Sequence, residues 1–311
     1  MRPRSRPRTG PRLTALVVLF VLAAAGASGA GLAGTGLAVT GATFGASQDA
    51  GTASFTTRTA CSGGTGYPAA VLALNPTLYY RFGEPATPAP ASVADSSGAG
   101  NDATVVPGGP TTSEVFGAAS DIWCDGTSAM RQPPVDSSVA SAGTVVWASA
   151  HAAPDVFTLM AWVSLPVGLA TGGRVLGFSD ASSAVSTQSD RILFVDNAGH
   201  VVFGVDHGGL QVIGSPSAVN DGRPHQLVAS LGPAGGRLYV DGTLVAADPT
   251  WTVGRAFTGY WRVGWDTVAG WLPGSNPSDY GLDASIDEVA VFEGSELTPA
   301  QVAGTWAANH W

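Results

Sequence analysis

The sequence predicts an all-β protein in which two antiparallel sheets are stacked face to face. From Tyr67 onward, short apolar runs alternate with turn residues, and the chain contains 42 glycines and 21 prolines. The 311 residues show no strong helical periodicity. The hydrophobic share of 45% is that of an ordinary globular protein with a core, so a chain that is disordered throughout is excluded.

Ten segments are predicted as strands because each is a short apolar run bounded by turn residues. They are residues 77–83, 121–126, 157–165, 174–180, 191–196, 200–206, 225–231, 237–246, 260–266 and 285–293. Asp241 and Gly242 in "LYVDGTLV" predict a type I′ turn, since both residues tolerate the positive φ that this turn needs. The last segment is apolar on both faces, which favours a central strand.

One short helix is predicted at the C-terminus. Thr298 is placed as the N-cap, Pro299 at the first helical position and Gln301 at the third. This is the pattern of a capping box with a favoured proline at its start. We expect the helix to end near Ala308.

The N-terminus predicts an export segment. Basic residues precede the apolar run Leu13 to Ala25, and small residues at Ala25 to Ala27 could form a cleavage site. The weakly apolar character continues to Ala46, so a single anchoring helix is the alternative. The predicted organisation is an export signal or membrane anchor at 1–46, a flexible linker at 47–66 and a β domain at 67–311.

Charge is distributed unevenly along the chain. All 14 basic residues are arginine, five of them lie in the first twelve residues, and all 23 acidic residues follow residue 48. Nucleic-acid binding requires clustered cations to neutralise phosphates, and the chain has no such cluster beyond residue 12. An acidic surface suits a soluble protein outside the cell, or one that binds cations.

Five segments in order resemble the concanavalin A-like, laminin-G-like jelly-roll domain of secreted bacterial proteins. They are "YPAAVLALNPTLYYRFGE", "ADSSGAGNDAT", "FTLMAWVSL" with Trp162, "NDGRPHQLVASL" with "GGRLYVDGTLVA", and "LDASIDEVAVFEGSELTPAQVAGTWAA". The resemblance covers residues 67–311. It implies a two-sheet jelly roll with a short C-terminal helix.

The same resemblance implies one structural calcium ion. Carried over by position, its ligands are Asp95 and Asn101 of the second segment and Asp287 of the closing strand, with Asp102 a weaker candidate. Calcium takes six to eight oxygen ligands, and such a loop can supply carboxylate, amide and carbonyl oxygens. The alternative is that Asp95 caps backbone amides in an Asx-turn and Asp287 pairs with an arginine such as Arg81.

The two cysteines, Cys61 and Cys124, are expected to form a disulfide if the chain is exported. Such a bridge would close a long loop and contribute about 2–4 kcal/mol. The alternative is two unrelated buried thiols.

Five aromatic residues crowd into 21 positions: Trp251, Tyr260, Trp261, Trp265 and Trp271. An exposed tryptophan can stack on a sugar ring and donate a hydrogen bond from its N–H group. Trp271, in the loop "GWLPGSNPSDYG", is the best candidate for an exposed contact with a ligand, and Trp265 is the second. Trp162 and Trp261 are expected in the core.

No catalytic constellation is recognised. Glycosidases need two facing carboxylates, and "IDEVAVFE" lacks the Glu-x-Asp-x-x-Glu spacing typical of this sandwich. There is no G-x-S-x-G motif, and the five histidines lack metal-ligand spacing. The sequence therefore predicts a protein that is not an enzyme.

The expected function is that of an exported, non-catalytic binding module, with carbohydrate or a cell-surface protein as its ligand. The expected location is secreted or at the cell surface, with membrane contact only through an uncleaved N-terminal segment. One alternative is a structural component of an extracellular matrix or fibre, because residues 42–49 loosely resemble the processing region of camelysin-like biofilm fibre proteins. Another is a glycoside hydrolase with an unrecognised site.

Overall fold

The computed structural model describes residues 66–87, 89–109, 113–119, 128–136, 143–206, 208–272 and 279–308. The predicted export segment, the linker up to residue 65, the predicted strand 121–126, and both Cys61 and Cys124 lie outside the described residues. The predicted disulfide therefore stays a prediction. None of the helices in these ranges has the length and apolar character needed to cross a membrane.

Strands make up most of the described chain. In chain order they are β1 (Leu78–Tyr80), β2 (Ser92–Val93), β3 (Ala103–Val106), β4 (Val115–Ala119), β5 (Ser128–Gln132), β6 (Val135–Asp136), β7 (Thr144–Trp147), β8 (His151–Ala152), β9 (Phe157–Ser164), β10 (Gly173–Ser179), β11 (Ser189–Val195), β12 (His200–Asp206), β13 (Leu210–Ala218), β14 (Pro224–Leu231), β15 (Gly236–Val240), β16 (Thr243–Asp248), β17 (Thr258–Gly264), β18 (Asp279–Gly281) and β19 (Ala284–Glu293). Two helices flank them, α1 (Gly66–Leu72) and α2 (Pro299–Ala307).

The strands form two sheets. In the described ranges, sheet A has eight strands in the order β16-β15-β14-β9-β19-β5-β4, with β1 added beside β19. Sheet B has eleven and is built on the order β13-β12-β11-β10-β17-β7-β3-β2. The pairs are antiparallel except for a short parallel contact between β10 and β18. The predicted two-sheet antiparallel sandwich is therefore confirmed.

Side-chain alternation places the core between the sheets. In β14, Leu227, Ala229 and Leu231 belong to the cluster between the sheets, whereas Val228 belongs to a second cluster on the outer face of sheet A. β19 lies between β9 and β5 and alternates in the same way: Val289 and Val291 belong to the cluster between the sheets, and Ala290 and Phe292 belong to the outer cluster under the helices. This confirms that the closing segment is a central strand. A fully buried leucine or valine contributes about 1.5–3 kcal/mol.

Both helices cover the outer face of sheet A. In α2, the hydroxyl of Thr298 accepts a hydrogen bond from the backbone N–H of Gln301, whose side chain accepts one from the N–H of Thr298. The predicted capping box is thus confirmed. The ring of Trp306 stacks on Trp162 of β9, with centroids 5.4 Å apart, so the helix is held against the sheet by an aromatic pair.

The structure adds elements that the sequence did not predict. Helix α1 buries Tyr67 and Val71 at a position where a strand or linker was expected. Seven residues are too few for a helical period to be visible. Edge strands such as β13 were also missed, because their mostly exposed side chains and interior glycine, serine and proline give no alternating pattern.

Candidate functional site

An open cleft of about 460 Å³ lies at one end of the sandwich; we call it the rim cleft. Its lining comprises Asp206, Gly208, Val253, Gly254 and Arg255. Asp206 ends β12 and Gly208 lies in the turn to β13, whereas the other three belong to the segment that leads into β17. The volume is within the range of about 300–1,000 Å³ that is common for small-molecule sites.

A buried carboxylate holds both walls of the rim cleft in place. Asp190, near the start of β11, is fully buried. Its two oxygens accept hydrogen bonds from the backbone N–H groups of Asp206, at 2.8 Å, and Arg255, at 2.6 Å. Because one rigid side chain joins the β12–β13 turn to the 249–257 segment, the cleft is shaped before any ligand arrives.

The neighbouring Arg191 also holds the cleft segment in place. Its guanidinium pairs with Asp190 at 2.6 Å and donates to the backbone oxygens of Pro154, at 2.7 Å, and Arg255, at 2.9 Å. A Cβ on Gly254 would lie 2.7 Å from the Asp190 carboxylate and 2.8 Å from the guanidinium, so glycine is required there.

Burial dominates the electrostatics of this pair. It raises the pKa of the Asp190 carboxyl above its ordinary value and lowers the pKa of Arg191. The attraction between the two groups opposes both shifts, and backbone N–H donors add to it on the aspartate side. Each charge is therefore stabilised mainly by the other, and the pair cannot be split without leaving a buried charge.

The exposed groups of the rim cleft are complementary hydrogen-bonding partners. The Arg255 side chain is 53% exposed and its Nη1 lies 3.4 Å from Oδ2 of Asp206, whose side chain is 19% exposed. Val253 adds an apolar surface that is 41% exposed. A ligand can thus meet a multiple donor, an acceptor and an apolar contact within one cleft.

A histidine–glutamate pair lies at the same end of the sandwich, next to the cleft segment. Nε2 of His151 lies 2.8 Å from Oε1 of Glu293, and the indole N–H of Trp261 donates to the same oxygen at 2.6 Å. The Trp147 ring contacts His151 at 4.4 Å between centroids. Burial lowers the pKa of His151, but its bonds to Glu293 and to the backbone oxygen of Ser149 outweigh this and raise it overall.

The predicted calcium loop is closed by its own hydrogen bonds. Oδ1 of Asp95 accepts from the N–H groups of Tyr79 and Ser97, both at 2.9 Å, and Oδ2 accepts from the Ser97 hydroxyl at 2.7 Å and the Asn101 N–H at 2.9 Å. The amide of Asn101 donates to the backbone oxygen of Thr77 at 2.7 Å. The structure thus brings Asp95 and Asn101 together in the manner of an Asx-turn.

The third predicted ligand lies on the outer face of sheet A. Asp287 pairs in register with Trp162 of β9, so its fully buried side chain points to the layer between sheet A and the helices. The neighbouring Glu288 accepts a hydrogen bond from Arg81 at 3.1 Å. Asp102, the weaker candidate, accepts from the N–H of Asp95 at 2.8 Å. In the described ranges, no three His, Cys, Asp or Glu side chains are placed to hold a metal ion. Calcium at Asp95, Asn101 and Asp287 stays a prediction.

The expected exposure of the loop tryptophans is wrong. Trp271 is 4% exposed and Trp265 is fully buried. Trp271 packs on the outer face of sheet B, where a Cβ on Gly204 would lie 2.5 Å from its ring. It covers an apolar cluster with Ile192 and Phe194, so its surface is used in packing and is not available to stack on a sugar.

A buried charge network explains why Trp265 is also covered. Asp266 is fully buried and contacts Arg174 at 2.8 Å and Arg262 at 3.1 Å. The Arg262 guanidinium lies 5.6 Å from the centre of the Trp265 ring and donates to the Trp265 backbone oxygen. Burial raises the pKa of Asp266, but the two arginines, together with hydrogen bonds from Ser179 and Ser186, outweigh this and hold the pKa below its ordinary value.

The chain matches a known family model over more than half of its length. The family model described as the concanavalin A-like lectin/glucanases superfamily matches residues 139–303. The chain belongs to this superfamily. The matched region runs from before β7 into α2, and it includes the whole rim cleft. No curated protein sequence matches the chain.

Solved structures similar to this superfamily member include a sialidase from Trypanosoma rangeli in complex with sialic acid. The TM-score is 0.47 and the identity 12%, and the match covers 74% of this chain and 32% of the sialidase chain. The chain thus corresponds to about a third of that protein.

Two further similar structures are parts of larger proteins. One is domain 4 of AbnA, a GH43 extracellular arabinanase from Geobacillus stearothermophilus, in complex with arabinotriose. Its TM-score is 0.48 and its identity 15%, covering 74% of this chain and 98% of that chain. The other is the receptor binding domain of botulinum neurotoxin mosaic serotype C/D, at TM-score 0.48 and 12% identity, covering 76% of this chain and 51% of that chain.

The residues that shape the rim cleft were not singled out from the sequence. Asp190 and Arg191 stand as "SDR" directly before the apolar run "ILFV". The sequence did offer one signal: two opposite charges stand at the start of a buried strand. Buried charges must be paired, so these two have to bind each other or the neighbouring loops. Arg255 and Asp206 carried no signal, since Arg255 is a single charged residue in a loop and Asp206 is a single charged residue at the end of a strand.

Proposed function

We propose that this protein is an exported, non-catalytic module that binds carbohydrate at or outside the cell surface through the rim cleft. One observation carries the proposal: the exposed Arg255 and the partly exposed Asp206 line a cleft whose two walls are joined by the buried Asp190. Membership of a superfamily that includes lectins and glucanases makes carbohydrate the first ligand class to test. The fold itself does not specify the ligand.

The chemistry of the cleft suits a sugar better than a large protein surface. Neighbouring hydroxyl groups on a sugar ring can accept from the guanidinium of Arg255 and donate to the carboxylate of Asp206. The C–H face of the ring can lie against Val253. A cleft of about 460 Å³ holds a small saccharide, whereas a stable protein interface needs roughly 800 Å² from each partner.

The lining also supports a binding role over hydrolysis. Among its described residues, Asp206 is the single carboxylate. Glycosidases of the common type need two carboxyl groups across the scissile bond, about 5–9.5 Å apart. Glu293, which is nearby, accepts hydrogen bonds from His151 and Trp261. We therefore place catalysis second to binding.

The N-terminal sequence supports the location that we propose. The basic and apolar N-terminal segment has the order of regions found in secretion signals. The acidic remainder of the chain is consistent with a soluble protein outside the cell.

A glycan and polysaccharide binding screen on the full chain tests this proposal, in calcium and in chelator. We expect at least one oligosaccharide to bind, and Arg255→Ala and Asp206→Asn each to weaken it by about tenfold, the effect of one or two lost hydrogen bonds to charged groups. Arg223→Ala is the matched control, because Arg223 is an exposed arginine at the opposite end of β14 from the cleft.

Two results would contradict the proposal. The first is no binding across the screen by a correctly folded chain. The second is unchanged affinity in both the Arg255 and Asp206 variants. Release of reducing sugars from any polysaccharide in the same screen would revive the hydrolase alternative.

A further inference from the structure

Two buried side chains at the end of β17 opposite the rim cleft carry oxygens without donors. Glu114 precedes β4 and is 8% exposed, and Gln132 ends β5 and is fully buried. Within the described ranges, no other residue donates a hydrogen bond to either carboxylate oxygen of Glu114 or to Oε1 of Gln132. A buried polar atom without a partner lowers the stability of the folded protein by about 1–3 kcal/mol, so three such acceptors together are costly.

Oε1 of Gln132 and Oε1 of Glu114 approach the same point beside Gly264, and the second carboxylate oxygen of Glu114 lies beside Gly143. Oε1 of Gln132 lies 2.1 Å, and Oε1 of Glu114 lies 3.5 Å, from the position that a Cβ on Gly264 would occupy. Oε2 of Glu114 lies 2.2 Å from the corresponding position on Gly143. Glycines on both sides leave room for the oxygens, and the φ of +88° at Gly264 independently favours glycine.

We propose that Glu114 and Gln132 form a binding site for a hard divalent cation, with Ca²⁺ as the probe. Carboxylate and amide oxygens are the ligands that such cations prefer, and Ca²⁺ sits about 2.3–2.6 Å from each oxygen. A cation that bridges the two side chains would satisfy the three acceptors at once. Backbone oxygens and water would complete its coordination.

The charges around this site are consistent with a weak site. The positive group that acts on Glu114 is Arg262, whose Nη1 donates to the backbone oxygens of Ala181 and Ala184. Burial raises the pKa of Glu114 to about 8, against the lowering effects of a backbone hydrogen bond and of Arg262. With one carboxylate among the ligands, we expect a dissociation constant of about 0.1–1 mM.

The test is calorimetric titration of the metal-free full chain with CaCl₂, and separately with MgCl₂. We expect one Ca²⁺ site, and we expect Glu114→Gln to raise its dissociation constant by at least about tenfold, since it removes the charged ligand and keeps the shape. Gln132→Leu provides a second variant should Glu114→Gln fail to fold. Asp95→Asn is the matched control and is expected to bind as the wild type does.

Three outcomes would overturn this site. Loss of binding in Asp95→Asn, with binding kept in Glu114→Gln, would place the ion in the loop that the sequence suggested. Binding unchanged in both Glu114→Gln and Gln132→Leu would exclude these ligands. No binding of Ca²⁺ or Mg²⁺ by the folded wild-type chain would exclude the site and favour a reversed Gln132 amide, whose N–H group would donate to Glu114.

Discussion

The buried carboxylate of Asp190 accepts a hydrogen bond from the backbone N–H of Arg255 at 2.6 Å, across 65 residues of sequence. The same carboxylate accepts a hydrogen bond from the N–H of Asp206, so the position of both polar cleft side chains depends on one residue that is fully buried. Binding at the rim cleft and the stability of the fold are therefore linked through this residue.

Asp190→Asn should destabilise the protein by about 3–5 kcal/mol, because it leaves the buried Arg191 without its main counter-charge. Urea unfolding monitored by tryptophan fluorescence measures the change. Asp155→Asn is the control: Asp155 also contacts Arg191, at 3.2 Å, but its side chain is 55% exposed. We expect a loss of less than about 1 kcal/mol there. Equal losses in the two variants would show that burial of the ion pair is not what matters.

Trp271→Ala should lower the free energy of unfolding by about 3–5 kcal/mol, the usual cost of removing a buried aromatic ring. The Trp271 ring packs directly on Gly204, which has no side chain that could move into the space left by the ring. At a temperature where the variant is folded, its affinity for an oligosaccharide should equal that of the wild type. A variant that is stable but no longer binds would restore the sequence-based view of Trp271 as a ligand contact.

His225 should make stability depend on pH. Its Nδ1 lies 2.8 Å from Asp241 and its Nε2 lies 3.1 Å from Asp221. Both partners are acceptors, so the ring must carry two protons to bond to both. Burial lowers the pKa of His225, but the two aspartates raise it above its ordinary value overall.

The sign of the effect follows from this raised pKa. The stabilisation is fully present below the pKa of the unfolded chain, about 6.5, and is lost as the pH rises through the higher pKa of the folded protein. His225→Gln should therefore cost about 1.5 kcal/mol at pH 6, the low end for hydrogen bonds to charged groups, and clearly less at pH 9. Urea unfolding at both values measures this. An equal cost at the two pH values would mean that the charge of His225 plays no part.

Thr298→Ala should destabilise the protein by about 1 kcal/mol, because it removes the N-cap of α2. Thr298→Ser is the matched control, since serine retains the capping hydroxyl. Thermal unfolding of the two variants compares them directly. If both variants melt at the wild-type temperature, the cap contributes nothing and α2 is held by the stacking of Trp306 on Trp162 alone.

The fold could be predicted from the sequence where local patterns and tertiary packing agree. The alternation of Leu227, Ala229 and Leu231 and the Asp241-Gly242 turn both appear as expected. β13 could not be predicted, because it is an edge strand whose residues are mostly exposed and include Pro216. Its place depends on pairing with β12 rather than on its own composition.

The site was harder to predict for a physical reason. Trp271 looked like a surface residue because glycine, proline and serine surround it in the sequence. In the structure its ring packs on sheet B at Gly204, where no side chain occupies the space. The burial of Trp271 depends on contact between two segments that lie 67 residues apart, and a local sequence pattern does not show such a contact. Likewise, the role of Asp190 arises only when the turn at Asp206 and the segment at Arg255 fold onto it.

Amide chemical-shift mapping of the ¹⁵N-labelled chain, titrated with the oligosaccharide that the screen finds to bind most tightly, is the most direct test of binding at the rim cleft. We expect the largest shifts at the N–H groups of Asp206, Gly254 and Arg255, and none of comparable size at Ser97 or Asn101 in the Asp95 loop. Shifts centred on the Asp95 loop, or on the outer face of sheet B around Trp271, with the cleft amides unmoved, would contradict the account.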